Sequence, residues 1–337
     1  MTEFVGTTPG LFPLPDHAKS ELADLKGHQK GDLISGDEPE SITDVYDDAR
    51  STVVAEQRDA GLDRVVEGCL RWDDMLAHPL AVHDNVGTGG IVRYYDNNNF
   101  YRDPCVTGEL TPSGDVPSEV AAAADLLDDT DPPLQATLPG PYSLADLATD
   151  EFYGDDREFL AAVASFLAAE VEAFPAHGTL FLLDPSLVAT PPDDDLAAAV
   201  PEAIDTVAGA TDADVVVYTY FGALDEKTYA HLLDADIDAV GLDLVDADRE
   251  TTVYNAVEYG ITDDVALGVA DGQNTLVESP ETLRERAAWF TDQVPATDFE
   301  RVYLSTNTEP FYLPVNKHRA KLDAVGAAAD LEREVHA

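Results

Sequence analysis

The sequence predicts an α/β chain folded as a single (β/α)8 TIM barrel over residues 1–337, on three observations. Three short apolar runs recur at regular spacing, at 214–222, 238–246 and 264–274. Helix-like stretches separate them, at 225–235 and 249–259; continuous apolar strands alternating with helices imply a parallel sheet covered on both faces. Five further strand-like runs bring the count to eight, nearly all followed by a helix. An open doubly wound sheet is the alternative. It normally carries a glycine fingerprint after its first strand, and Val5-Gly6-Thr7-Thr8-Pro9-Gly10 does not match GxGxxG.

Taken in order, residues 4–13 read as a short strand entering a Gly/Pro loop. Residues 14–45 are polar with turn signals, and 41–60 is helix-like up to Gly61. A second strand follows at 63–68. The section 70–115 is irregular, and the aromatic and asparagine content of 91–104 fits a hairpin or insertion after strand two. Gly87-Thr88-Gly89-Gly90 reads as a turn, since a phosphate loop needs a following lysine and a strand–helix context. A helix at 118–129 leads to a third strand, 134–142, then an amphipathic helix, 154–174. The fourth strand is 179–185, with a helix near 195–210. The three opening runs are strands five to seven. A helix at 280–293, an eighth strand at 301–307 and a terminal helix at 315–334 complete the chain.

Composition narrows the setting. Acidic residues number 67 against 19 basic ones, for a net charge of −48, yet 45% of residues are hydrophobic. That is a folded chain rather than an acidic disordered tail. Dispersed acid suits very high salt, where the Debye length is about 3 Å at 1 M and self-repulsion is screened. The expectation is a halophile's cytoplasm, because the N-terminus has neither a basic nor an apolar signal region. No uncharged apolar run of membrane-spanning length occurs, and the charge argues against nucleic acid and anionic membranes as partners. Cys69 and Cys105 form no disulfide framework and read as reduced structural thiols.

In such barrels chemistry gathers at the carboxyl ends of the strands. That rim would collect Thr7, Thr8, Glu67, Cys69, Arg71, Asp73, Asp74, Pro139, Gly140, Asp184, Tyr220, Gly222, Asp243, Asp246, Asp271, Gln273, Asn274, Thr306, Asn307 and Glu309. Asp184 and Asp243 follow apolar runs directly and would point into it, although aspartates at strand ends also cap helices. Arg71, Arg93, Arg102, Lys317, His318 and Arg319 run against the acidic background and would suit an anion, or else pair with neighbouring carboxylates. No HxH, HxxxH or HxC spacing occurs at a strand end, so no metal is expected, and His78 and His83 are a poor zinc signature. No Ser–His–acid or Cys–His nucleophile arrangement is supported.

Several segments, in this order, resemble the cobalamin-independent methionine synthase family: 60–75, 95–104, 138–144, 219–224, 241–245, 267–275 and 302–314. The likeness is to the amino-terminal of that family's two facing barrels. In the carboxy-terminal barrel a His and a Cys after strand five, a Glu after strand six and a Cys after strand eight hold the zinc that activates homocysteine. Carried over, those positions read Tyr220, Gly222, Asp243 and Thr308. Only Asp243 could ligate, and one oxygen does not hold tetrahedral zinc. The family's strand-four Asp-Glu-Pro is reduced to Asp184-Pro185.

The resemblance implies a zinc-less half that helps bind polyglutamylated folate, with no cofactor of its own and zinc only in a separate partner barrel. Candidate substrate-binding residues are Glu67, Arg71, Asp184, Asp243, Asp271 and Asn274; candidate folate-binding residues are Arg93, Arg102, Lys317 and Arg319. The implied activity is methyl transfer from methyltetrahydrofolate to homocysteine, shared with that partner. The alternatives are a non-catalytic folate- or anion-binding barrel, and an enzyme similar to uroporphyrinogen decarboxylase.

Overall fold

A computed structural model describes residues 2–23, 39–95 and 99–331. Part of the polar segment 14–45, and the end of the terminal helix, lie outside the described residues. In chain order the elements are β1 (Glu3–Gly6), α1 (Asp16–Leu22), α2 (Glu40–Asp59), β2 (Val65–Val66), α3 (His78–Ala81), β3 (Val86–Arg93), β4 (Phe100–Val106), α4 (Asp115–Ala124), β5 (Leu134–Pro139), α5 (Pro141–Asp146), β6 (Thr149–Asp150), α6 (Asp156–Val171), β7 (Thr179–Leu183), α7 (Ser186–Ala189), α8 (Asp194–Ala197), α9 (Val200–Ala208), β8 (Asp214–Tyr218), α10 (Glu226–Leu232), β9 (Ala239–Asp243), α11 (Arg249–Tyr259), β10 (Asp264–Ala270), α12 (Pro280–Gln293), β11 (Arg301–Thr306) and α13 (Val315–Asp330).

Eight parallel strands curl into the barrel wall in the order β1-β11-β10-β9-β8-β7-β5-β2. The runs of β7, β9 and β10 are buried along their whole length, which is why they read as continuous rather than alternating apolar sequence. The interior is packed with rings: Phe181 lies 5.6 Å from Tyr218 and 6.2 Å from Tyr303 between centroids. Tyr218 spans the interior and donates to the Thr306 carbonyl at 2.6 Å. A glycine at 241 makes room for it, since a Cβ there would overlap the Tyr218 ring.

The wall is not closed by strand pairing between β1 and β2. Side chains and loop backbone stitch that seam. Asp63 donates its N–H to the Gly6 carbonyl at 2.9 Å, and Gly6 donates back to Asp63 Oδ2 at 2.7 Å. Thr7 Oγ1 donates to Gln135 Oε1 at 2.6 Å, while Gln135 Nε2 donates to the Thr8 carbonyl at 2.8 Å. The second strand, expected over 63–68, shrinks to two residues because Gly68 (φ 97°) and Cys69 (φ 52°) turn the chain out of the sheet.

The insertion after β2 is a hairpin, as its composition suggests. β3 and β4 pair antiparallel, with β6 added parallel to β4. Gly87-Thr88-Gly89-Gly90 is not a turn: it runs inside β3, with a bulge between Thr88 and Gly90, and the chain reverses after Arg93. β3 is an edge strand exposed from Gly87 to Arg93, and Ile91 is 74% exposed. No acidic residue occurs from Asn85 to Tyr95. The predicted helix 118–129 begins earlier, at Asp115, because left-handed Gly114 (φ 76°) sets its start. The helix α1 had no counterpart in the sequence reading. Among the described residues no helix is long and apolar enough to cross a membrane.

Candidate functional site

Three carboxyl groups at the carboxyl ends of the wall strands are almost completely buried. Asp184 follows β7, Asp243 ends β9 and Glu309 follows β11, and none is more than 2% exposed. Asp184 Oδ1 accepts two bonds from Ser143, from N–H at 2.7 Å and from Oγ at 2.6 Å. Its Oδ2 has no partner among the described residues and lies against Gly140, where a Cβ would overlap it. Asp243 Oδ1 accepts from the N–H of Val245 at 2.8 Å and of Asp246 at 3.0 Å, and from Asn307 Nδ2 at 3.2 Å; its Oδ2 is also unpartnered. Neither Glu309 oxygen has a well-aligned hydrogen bond among the described residues. Burial pushes all three carboxyls up, Asp184 and Glu309 to about 7 and Asp243 to about 6.

The hairpin plugs this end of the barrel with tyrosines. Tyr94 is fully buried; its ring lies 4.5 Å from that of Tyr95, which lies 5.5 Å from Phe221. Tyr220 packs on Phe221 at 4.7 Å, and the Tyr95 hydroxyl meets Ser186 Oγ at 2.8 Å. Ser186 in turn donates to Asp146 Oδ2 at 2.8 Å. Tyr95 (φ 44°) and Phe221 (φ 70°) both take the left-handed backbone that β-carbons disfavour. Such conformations persist only where the surroundings over-determine them.

A second polar cluster lies beyond β2. Buried Arg50 donates Nε to Glu67 Oε1 at 3.0 Å and bridges Asp47 and Glu119. Arg71 donates to Asp115 at 2.9 Å and Glu119 at 3.0 Å, and His78 Nε2 meets Asp115 Oδ2 at 3.0 Å. Burial, then the neighbouring Glu67 charge, pushes Glu119 up to about 7. Burial opposes the Asp115 charge, but His78 and Arg71 outweigh it and hold it at about 2. Asp47, Arg50, Arg71, Asp115 and Glu119 line a cavity of about 170 Å³.

The predicted site residues thus separate. Glu67 and Arg71 join through Arg50 and Glu119. Asp271 accepts from the N–H groups of Gln273 and Asn274, and exposed Asn274 accepts from Leu276, so those bonds stay within their own loop. Arg102 is held by Asp74, Nε to Oδ1 at 2.9 Å, and Arg319 by Glu56. Arg93 is exposed on β3, and Lys317 is half-buried in the first turn of α13. His318 packs on Phe12 at 4.4 Å, and burial lowers it to about 3. Arg50, Glu119, Ser143, Tyr94 and Tyr95 were not singled out. Arg50 sits mid-helix among surface charges, and the tyrosines sit in a hairpin whose fold-back over the barrel no local pattern announces.

The four positions carried over as zinc ligands do not make a zinc donor set. Gly222 has no side chain, Tyr220 faces Glu309, and Asp243 spends one oxygen on three donors. The Thr308 hydroxyl points to the Glu309 carbonyl at 3.4 Å. Among the described residues no three or more His, Cys, Asp or Glu gather as a metal-holding group, and tetrahedral zinc takes thiolate and imidazole donors first.

Residues 83–288 match the family model described as cobalamin-independent synthase, N-terminal domain. The chain belongs to the cobalamin-independent methionine synthase family. Methionine synthase of Sulfolobus acidocaldarius is 24% identical over 285 residues, covering 83% of this chain and 78% of that protein. The 5-methyltetrahydropteroyltriglutamate–homocysteine methyltransferase of Salinibacter ruber is 34% identical over 125 residues, 34% of this chain and 16% of that protein. The structure of a B12-independent methionine synthase from Shewanella sp. W3-18-1 in complex with selenomethionine superimposes with a TM-score of 0.76 at 17% identity, over 97% of this chain and 96% of that one. A putative vitamin-B12-independent methionine synthase from Listeria monocytogenes does so with a TM-score of 0.67 at 16% identity, covering 98% of each. These structures share the methionine synthase barrel.

Proposed function

We propose that this chain is the folate-facing half of a two-barrel methionine synthase. It acts with a separate zinc-bearing barrel that supplies the metal and the homocysteine thiolate. The observation that carries the reading is the match to the amino-terminal domain of the synthase together with a strand-end donor set unsuited to zinc. The chain's own rim would shape one wall of the cleft. Lys317, in the first turn of α13, and Arg93, on the exposed β3, would meet the folate's glutamate tail. Arg71, Arg102 and Arg319 already face carboxylates of this chain, which supports a positioning part for them. The same reading puts the pair in the cytoplasm of a salt-requiring cell, supported by the 67 acidic residues.

The test mixes this chain with a zinc-bearing homologue, homocysteine and methyltetrahydrofolate, and measures methionine. The pair should outrun the zinc barrel alone; equal rates defeat the proposal. The unsuited donor set also favours a second reading, a folate- or anion-binding barrel with no catalytic share. Calorimetric folate binding by this chain, without any rate gain in the mixture, is its signature.

A further inference from the structure

The oxygens around Glu309 support an inference separate from the methyl-transfer reading. Glu309 is 2% exposed, and Tyr94 and Tyr220 are fully buried. Among the described residues, both carboxyl oxygens of Glu309 and both phenol oxygens are buried without a well-aligned hydrogen bond. Native interiors leave few such atoms, and four around one carboxyl call for a common cause. Among the described residues, the groups whose charge or hydrogen bonding reaches Glu309 are Tyr94 after β3, Tyr220 after β8, and Tyr312 beyond Glu309 itself. None of them is cationic. A neutral Glu309 and two phenols bring three donors within hydrogen-bonding reach, yet none of these bonds is well aligned. A single cation would be accepted by all four oxygens at once.

We propose that Glu309, Tyr94 and Tyr220 hold a dehydrated monovalent cation of the size of Na⁺ or K⁺. One carboxylate balances one positive charge, whereas a divalent ion would call for further carboxylates. Hard oxygen donors suit an alkali ion and disfavour soft transition metals. The rings of Tyr95 and Phe221, packed edge-on against Tyr94 and Tyr220, would keep water from competing for the ion. The bound ion would also lock the hairpin, which supplies Tyr94, to the ends of β8 and β11.

The test is thermal unfolding of the whole chain in KCl, NaCl or choline chloride, at one ionic strength high enough to screen the surface acids. At alkaline pH the midpoint should stand at least about 2 °C higher in KCl or NaCl than in choline chloride. Protons compete for Glu309, so this gain should shrink on acidification. Glu309→Gln, which keeps shape and drops the charge, should erase the gain. Tyr94→Phe, which keeps the ring and drops one oxygen, should raise the half-saturating salt concentration about tenfold, one donor's share of the site at about 1.4 kcal/mol. Equal midpoints in all three salts at alkaline pH overturn the proposal. So does an undiminished gain in Glu309→Gln, or, should that variant fail to fold, an undiminished response in Tyr94→Phe.

Discussion

Ser143 holds one oxygen of Asp184 twice, through its N–H at 2.7 Å and its hydroxyl at 2.6 Å. The same hydroxyl accepts the Ser186 N–H at 2.9 Å, so one serine ties α5, which follows β5, to the start of α7, which follows β7. Ser143→Ala leaves a buried acceptor short of one donor and a buried N–H without its acceptor. The expected loss is about 1–3 kcal/mol, read from the urea midpoint. A change below about 0.5 kcal/mol would mean that the hydroxyl is replaceable.

The buried acids set the direction of pH dependence. Unfolded carboxyls titrate near about 4, while Asp184, Asp243 and Glu309 are raised to about 7, 6 and 7 in the fold. The folded state therefore keeps protons that the unfolded state has released. Their contribution to stability is full below about pH 4 and is lost as pH rises through about 6 to 7. Asp115, lowered to about 2, works the other way: its contribution is present above about 4 and lost as pH falls through about 2. Urea midpoints in concentrated choline chloride should fall between about pH 5 and pH 8, and Asp184→Asn should flatten that fall.

Arg50 is 2% exposed and serves Asp47, Glu67 and Glu119. Removing it leaves buried carboxylates uncompensated. Arg50→Met should destabilise by about 3–5 kcal/mol in chemical unfolding, the usual cost of breaking a buried pair from one side. Arg319→Met removes an ion pair from a half-exposed side chain and should cost about 1 kcal/mol or less. The contrast between the two variants is the measurement.

On the proposed function, Lys317→Glu reverses charge in the first turn of α13 without touching a buried ion pair. Calorimetry should show affinity for a triglutamyl folate falling about tenfold or more, the loss of a charge-assisted contact worth about 1.5–3 kcal/mol. The monoglutamyl form should respond less. An equal response of both forms would remove Lys317 from the tail site.

The barrel was legible because its signals are local. Apolar runs such as 214–218 and 264–270 are buried on both sides and write that burial into sequence. The helices read at 280–293 and 315–334 begin where expected, at Pro280 and Val315. Of the site, the acids Asp184, Asp243 and Glu309 were findable by their place after apolar strands. What fills the rim was not. Tyr94 and Tyr95 reach it through the return of an irregular hairpin, and Arg50 joins Glu67 and Glu119 from a helix that reads as plain surface. The cations Arg71, Arg102 and Arg319 stood out by charge, but sequence does not tell an anion's host from a neighbour's counter-ion, and in this fold each meets carboxylates of its own chain.

The outer face of β3 sets one limit on how this molecule meets others. Over most of the surface, carboxylates bind water and counter-ions that must be stripped before a contact forms. From Asn85 to Tyr95 there is no carboxylate: the edge strand shows two consecutive glycines, apolar side chains led by Ile91, and one cation, Arg93. Concentrated salt mutes the acids' mutual repulsion and strengthens the burial of apolar surface. In brine, then, the strip is a place where dehydration is cheap, a bare length of conductor on a chain largely insulated by charge.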